Sequence, residues 1–92
     1  MRLNEKEITV IKSVVKEFDP NAKVKLFGSR VDDAKKGGDI DLLIISDKIT
    51  FSDKLSILIK LKEQIGDQKI DILIYDSNKT FHKIVYKEAI SL

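Results

Sequence analysis

The chain has no cysteine in its 92 residues. Disulfide staples and thiolate metal sites are therefore excluded. It has a single histidine, His82, with no second histidine or cysteine to share a metal, so a surface or capping role is the better reading of it. Apolar runs are short. The longest, Leu42 to Ile45, falls far below what a bilayer requires. The first residues are charged and polar, unlike a secretory signal, and a cytoplasmic location is the default expectation. No Gly-x-x-x-x-Gly-Lys phosphate loop occurs, which argues against a Walker-type ATPase. Charge of either sign is nearly balanced. A net +2, with lysines spread along the chain, makes no case for nucleic acid as a partner.

What is present is the composition of a folded domain. The hydrophobic fraction is 42% and the charged fraction 35%, which fits a globular chain rather than a disordered one. Residues 1–92 read as one domain with one core. A chain this size buries roughly two-thirds of the surface it exposes when unfolded.

Asn4-Glu5-Lys6-Glu7 has the pattern of a capping box, followed by Ile8, Ile11, Val14, Val15 and Phe18 at helical spacing. The spacing predicts a helix over Asn4 to Glu17, stopped by Asp19-Pro20-Asn21 because proline cannot continue the ladder. Lys23 to Phe27 alternates and ends at Gly28, as a strand does. Ser29 to Asp33 suits a short helix, and Ala34 to Gly38 a loop. Asp39 to Ser46 reads as a central strand, apolar on both faces beyond Asp41. Thr50 to Ile65 reads as a helix with Thr50-x-x-Asp53 at its start and Gly66 at its end. Its inward stripe is expected to be Phe51, Leu55, Leu58, Ile59 and Ile65, with Ile57 and Leu61 partly off it. Lys69 to Tyr75 is a further strand. Thr80 to Ala89 is a last helix, with Phe81, Ile84, Val85 and Ala89 inward. The expected architecture is α+β in two layers: a mixed sheet of three strands or slightly more, packed with helices.

The chemistry lies in three acids. In a strand, residues two apart share a face, so Asp39 and Asp41 project together. Asp71 stands between Ile70 and Ile72, facing away from their apolar stripe. If the two strands are neighbours with matched starts, the three carboxylates converge. Like charges so placed raise one another's pKa, and a hard divalent cation such as Mg²⁺ relieves the repulsion. Gly28 would let the backbone approach a phosphate, Ser29 would add amide and hydroxyl donors, and Arg30 would neutralise phosphate charge. Each feature has a plainer reading. Asp39-x-Asp41 alone suits a solvated strand start, Gly28-Ser29 alone suits a turn, and Asp71 alone suits an ion pair with a lysine.

Taken together, Gly28-Ser29, a spacer, Gly37-x-Asp39-x-Asp41 and the later Asp71 resemble the nucleotidyltransferase superfamily related to DNA polymerase beta. The small size resembles its minimal nucleotidyltransferases, and the likeness covers nearly the whole chain. The resemblance implies the nucleotidyltransferase fold. It implies that Asp39, Asp41 and Asp71 ligate two Mg²⁺ ions and that Asp71 helps deprotonate the attacking hydroxyl. Gly28, Ser29 and Arg30 would hold the triphosphate of ATP or another NTP. The chain departs from many relatives at Val31, where a small alanine is common, and at Gly38, where serine is common.

The resemblance extends to the antitoxin half of HEPN–MNT modules, and it implies a HEPN ribonuclease toxin as partner. The expected reaction is transfer of AMP to a toxin tyrosine. The alternative is an antitoxin that neutralises the toxin by binding alone, in a homo- or hetero-oligomer. Other residues carry plainer expectations. Asp32 and Asp33 should point to solvent, Lys35 and Lys36 should sit in a solvated loop, and Tyr75 and Tyr86 should pack at the core edge. Asp47 and Asp76 should be turn residues.

Overall fold

The computed structural model describes residues 3–31 and 39–92, and for Ser29 and Arg30 the backbone only. The expected loop at Ala34 to Gly38, with Lys35 and Lys36, and the acids Asp32 and Asp33 lie outside the described residues.

Helix α1 spans Glu5–Phe18 and opens on the expected capping box. Asn4 Oδ1 accepts from the Glu7 N–H at 2.7 Å, and Glu7 Oε1 accepts from the Asn4 N–H at 3.0 Å. Asp19 ends the helix in an extended conformation, as the residue before a proline must. Its carboxylate is buried and satisfied: Ser46 Oγ donates to it at 2.6 Å and the Asn21 N–H at 3.0 Å. These bonds, the serine's foremost, hold Asp19 below the ordinary carboxylate range.

Strand β1 (Lys23–Phe27) runs into a 3₁₀ turn at Gly28–Val31. Strand β2 is Ile40–Ile45, helix α2 Phe51–Ile65, strand β3 Ile70–Ile74 and helix α3 Thr80–Glu88. A two-residue strand, β4 (Ile90–Ser91), follows. The sheet has four strands in the order β3-β2-β1-β4. Strands β2 and β3 are parallel, joined through α2, while β1 is antiparallel to both β2 and β4. This is the mixed α+β architecture that the element order implies, with α1 and α2 on one face of the sheet and α3 against the other, where Lys25 meets Tyr86. The fourth strand was not legible in the sequence. Two residues cannot display alternation, and β4 exists because β1 offers it a free edge.

One sheet face carries Val24, Leu26, Ile40, Leu42, Ile44, Ile70 and Ile72, and these form the core with Ile11, Val14 and Val15 of α1 and Ile57 and Leu61 of α2. Strand β2 is buried on both faces over Leu42–Ile44, as a central strand should be.

Both later helices are rotated from the face the spacing suggests, although Leu58 and Ile65 pack against the core and Val85 is buried as expected. In α2, Ile57 and Leu61 are fully buried, while Phe51, Leu55 and Ile59 are 72%, 49% and 60% exposed. The helix carries two adjoining apolar stripes, and its lead-in decides which one is covered. Ser46 Oγ accepts from the N–H groups of Lys48 and Ile49, Ile49 is buried, and Thr50 caps the helix with Asp53. That anchored lead-in sets the rotation of α2 about its axis. In α3, His82 and Val85 are buried, while Phe81 and Ile84 are exposed. The His82 Nδ1 accepts from the Asp76 N–H at 2.8 Å, which ties the helix to the preceding turn and points residues 82 and 85 at the sheet. His82 is thus a buried capping residue. Tyr75 packs on Tyr86 with ring centroids 5.2 Å apart, and Lys25 Nζ sits 4.3 Å above the Tyr86 ring.

Candidate metal and nucleotide site

The second sheet face carries the acids. Parallel pairing of β2 with β3 sets Asp41 directly beside Asp71. Asp39 lies two residues before Asp41, on the same face. One carboxylate oxygen from each of Asp39, Asp41 and Asp71 lies within 4.8 Å of the other two. The register does this because both strands begin in step: the Ile40 N–H donates to the Lys69 carbonyl at 2.9 Å, and Ile40 pairs with Ile70. A slip of one residue would move Asp71 to the opposite face.

Asp39 and Asp41 are half-buried, and Asp71 is exposed. Asp71 is exposed because β3 is an edge strand and this part of its outer face is uncovered. Among the described residues, Lys69 pairs with a different acid: its Nζ is 3.5 Å from Asp39 Oδ2. Lys69 is the site residue that sequence reasoning missed. It stands just before β3, one of 17 basic residues with nothing in its local pattern to single it out.

Asp41 is the electrostatic centre of the group. Burial pushes its carboxyl above the ordinary range, and the neighbouring charges of Asp71 and then Asp39 push it further, with Lys69 opposing. Above it sits Gly28. Phe27 pairs with Asp41 across β1 and β2, so the turn that follows folds over the Asp41 side chain. Gly28 has φ +76°, and a Cβ there would stand 3.1 Å from Asp41 Cγ and overlap its carboxylate oxygen. Glycine is required here both for the left-handed backbone and for the room it leaves.

The donor set fits a hard divalent cation. All three donors are carboxylate oxygens, the type that Mg²⁺ prefers, and a cation would offset the repulsion that raises Asp41. The structure therefore brings Asp39, Asp41 and Asp71 together and sets the Gly28 turn against them. Ser29 and Arg30 belong to that turn by their backbone.

A mixed α+β domain whose parallel strand pair presents three acids beside a glycine turn defines a class: small domains with a candidate divalent-cation site of carboxylates. The particular family follows from comparison. The pattern of the nucleotidyltransferase domain matches residues 8–92, and the chain belongs to that family. Comparison with the curated proteins returns no match. Membership makes the chain a nucleotidyltransferase domain of minimal size, in a family that works with divalent metal and a nucleoside triphosphate. No helix among the described residues is long and apolar enough to cross a membrane.

Proposed function

We propose that this domain transfers a nucleoside monophosphate, AMP from ATP, to a hydroxyl on a partner protein. The observation that carries the reading is the convergence of Asp39, Asp41 and Asp71 beside the Gly28 turn. The three acids would hold Mg²⁺, which when bound supplies positive charge against the triphosphate and its transition state. Gly28, Ser29 and Arg30 would bind the β- and γ-phosphates, through backbone N–H groups, a hydroxyl and a guanidinium. Asp71, the exposed member, has the access needed to take the proton of the acceptor hydroxyl. The acceptor oxygen forms a bond to the α-phosphorus while the bond from that phosphorus to the bridging oxygen breaks. Pyrophosphate leaves, and the proton passes to Asp71.

The acceptor we assign is a tyrosine of a HEPN ribonuclease toxin, which makes the chain an antitoxin. Incubation with labelled ATP, Mg²⁺ and a candidate HEPN toxin should label the toxin. Asp39→Ala and Asp41→Ala should each abolish labelling. Label that persists in both variants would overturn the assignment of the acids.

The exposed stripe of Phe51, Leu55 and Ile59 favours a second reading, in which binding alone silences the toxin. It requires that Asp41→Asn still protect cells. Loss of protection with the complex intact rejects it.

A further inference from the structure

Phe81 and Ile84 are 61% and 52% exposed, yet they are not scattered surface residues. With Phe27 and Val31 they line a pocket of about 290 Å³ between α3 and the 3₁₀ turn. Gly28 borders the same pocket, and Gly28 is also the residue that abuts Asp41. Phe27 pairs directly with Asp41, so both side chains project from one sheet face. The pocket thus adjoins the carboxylate cluster through Gly28. Its volume suits a single ring system rather than a whole nucleotide. Its walls are aromatic and branched aliphatic, and among the described residues Glu88 is the one charged side chain lining it. Residues 81, 84 and 88 share one face of α3 through their spacing of three and four.

We infer that this pocket holds the base of the donor nucleotide, an amino-bearing purine. The inference rests on the transferase reading above. In-line displacement puts the acceptor on the side of the α-phosphorus opposite the departing pyrophosphate. The pocket borders Gly28, where the pyrophosphate is assigned, so it lies on the donor's side and not the acceptor's. Phe81 offers a face for stacking, and Ile84 and Val31 close the slot with apolar contact. The Glu88 carboxylate accepts only, so it selects a base edge that carries an N–H₂ donor and disfavours uracil, whose O4 is an acceptor.

The test measures binding to the full chain by calorimetry with Mg²⁺ present, using ATP, UTP and inorganic tripolyphosphate. Phe81→Ala should weaken ATP about tenfold, the scale of one base stacked on an aromatic ring, and leave tripolyphosphate within about twofold. Glu88→Gln should narrow the preference for ATP over UTP, because an amide can also donate to O4. Phe81 and Glu88 are both exposed, so neither variant opens the core, and unchanged melting temperatures would show that the fold is kept. Through-space contacts between the Phe81 ring protons and adenine H2 or H8 should appear in NMR spectra of the complex. Equal losses for ATP and tripolyphosphate, or no loss for ATP, would overturn the base assignment and leave the transferase reading standing. Failure of the wild-type chain to bind either ligand would remove both.

Discussion

Replacing Gly28 with alanine separates two consequences that usually arrive together. The backbone at Gly28 has φ +76°, where an L-residue costs about 1–2 kcal/mol. For a domain of this size each kcal/mol lowers the melting temperature by roughly 4–8 °C, so the drop should lie between about 4 and 16 °C. The new Cβ also overlaps the Asp41 carboxylate. That overlap is cheap for the fold, because the obstructing atom is the end of a side chain that can swing aside. It is costly for the site, because the swing removes Asp41 from the position where three oxygens lie within 4.8 Å. Mg²⁺ affinity should fall about 10- to 100-fold, as when support of a metal ligand is lost. Gly66→Ala is the matched control. Gly66 has φ +90°, which also demands glycine, but nothing lies within 4 Å of the Cβ it would gain. It should lose stability on a similar scale, about 1–3 kcal/mol, and keep its Mg²⁺ affinity. Thermal melts with and without Mg²⁺, together with calorimetric titration of the ion, read both effects. If Gly28→Ala binds Mg²⁺ as the wild type does, the cradle argument is wrong.

Three further outcomes follow from the geometry. Leu61→Ala, which empties a fully buried position, should cost about 2–5 kcal/mol in denaturant melts. Leu55→Ala, on the exposed stripe of the same helix, should cost far less, and equal losses would restore the face that the spacing suggests. His82→Ala orphans the Asp76 N–H and should cost about 1–3 kcal/mol, most of it recovered only by a side chain that can accept there. The third concerns pH. Asp41 holds its proton more tightly folded than unfolded, so without metal its contribution turns unfavourable as pH rises from the ordinary carboxylate range through the raised folded value. The penalty disappears as pH falls back below that range. Mg²⁺ offsets it only where Asp41 is ionised, so the rise in melting temperature on adding Mg²⁺ should shrink on acidification. In Asp41→Asn that pH dependence should be blunted. A Mg²⁺ effect that is flat across this window refutes the assignment.

Much of the site was legible because its signals are local. Asp39 and Asp41 share a face through the two-residue period of a strand, and Asp71 opposes the apolar stripe of Ile70 and Ile72 by the same rule. Gly28 stands where the strand stops. The helix starts at Asn4 and Thr50 were equally readable, since each cap is a contact between residues three apart. The inward faces of α2 and α3 were not. Phe51, Leu55 and Ile59 are as apolar as Ile57 and Leu61, so composition cannot rank them. Phe81 and Ile84 look more like core residues than His82 does, until the bond from the Asp76 N–H is known. Lys69 became a site residue only when the strand pairing set it beside Asp39.

By itself the sequence determined the three main helices, the first three strands and the side of each strand on which an acid falls, because those depend on short-range periodicity and on bonds within one turn. The tertiary structure alone decided that Asp41 and Asp71 stand in register, that Gly28 folds over them, and that α3 leaves Phe81 and Ile84 beside the turn. Register and helix rotation are set by contacts between residues distant in the chain, such as Ile40 with Lys69 and Ser46 with Asp19. No local pattern encodes those distances, and it is these contacts that turn three separate acids into one candidate metal site.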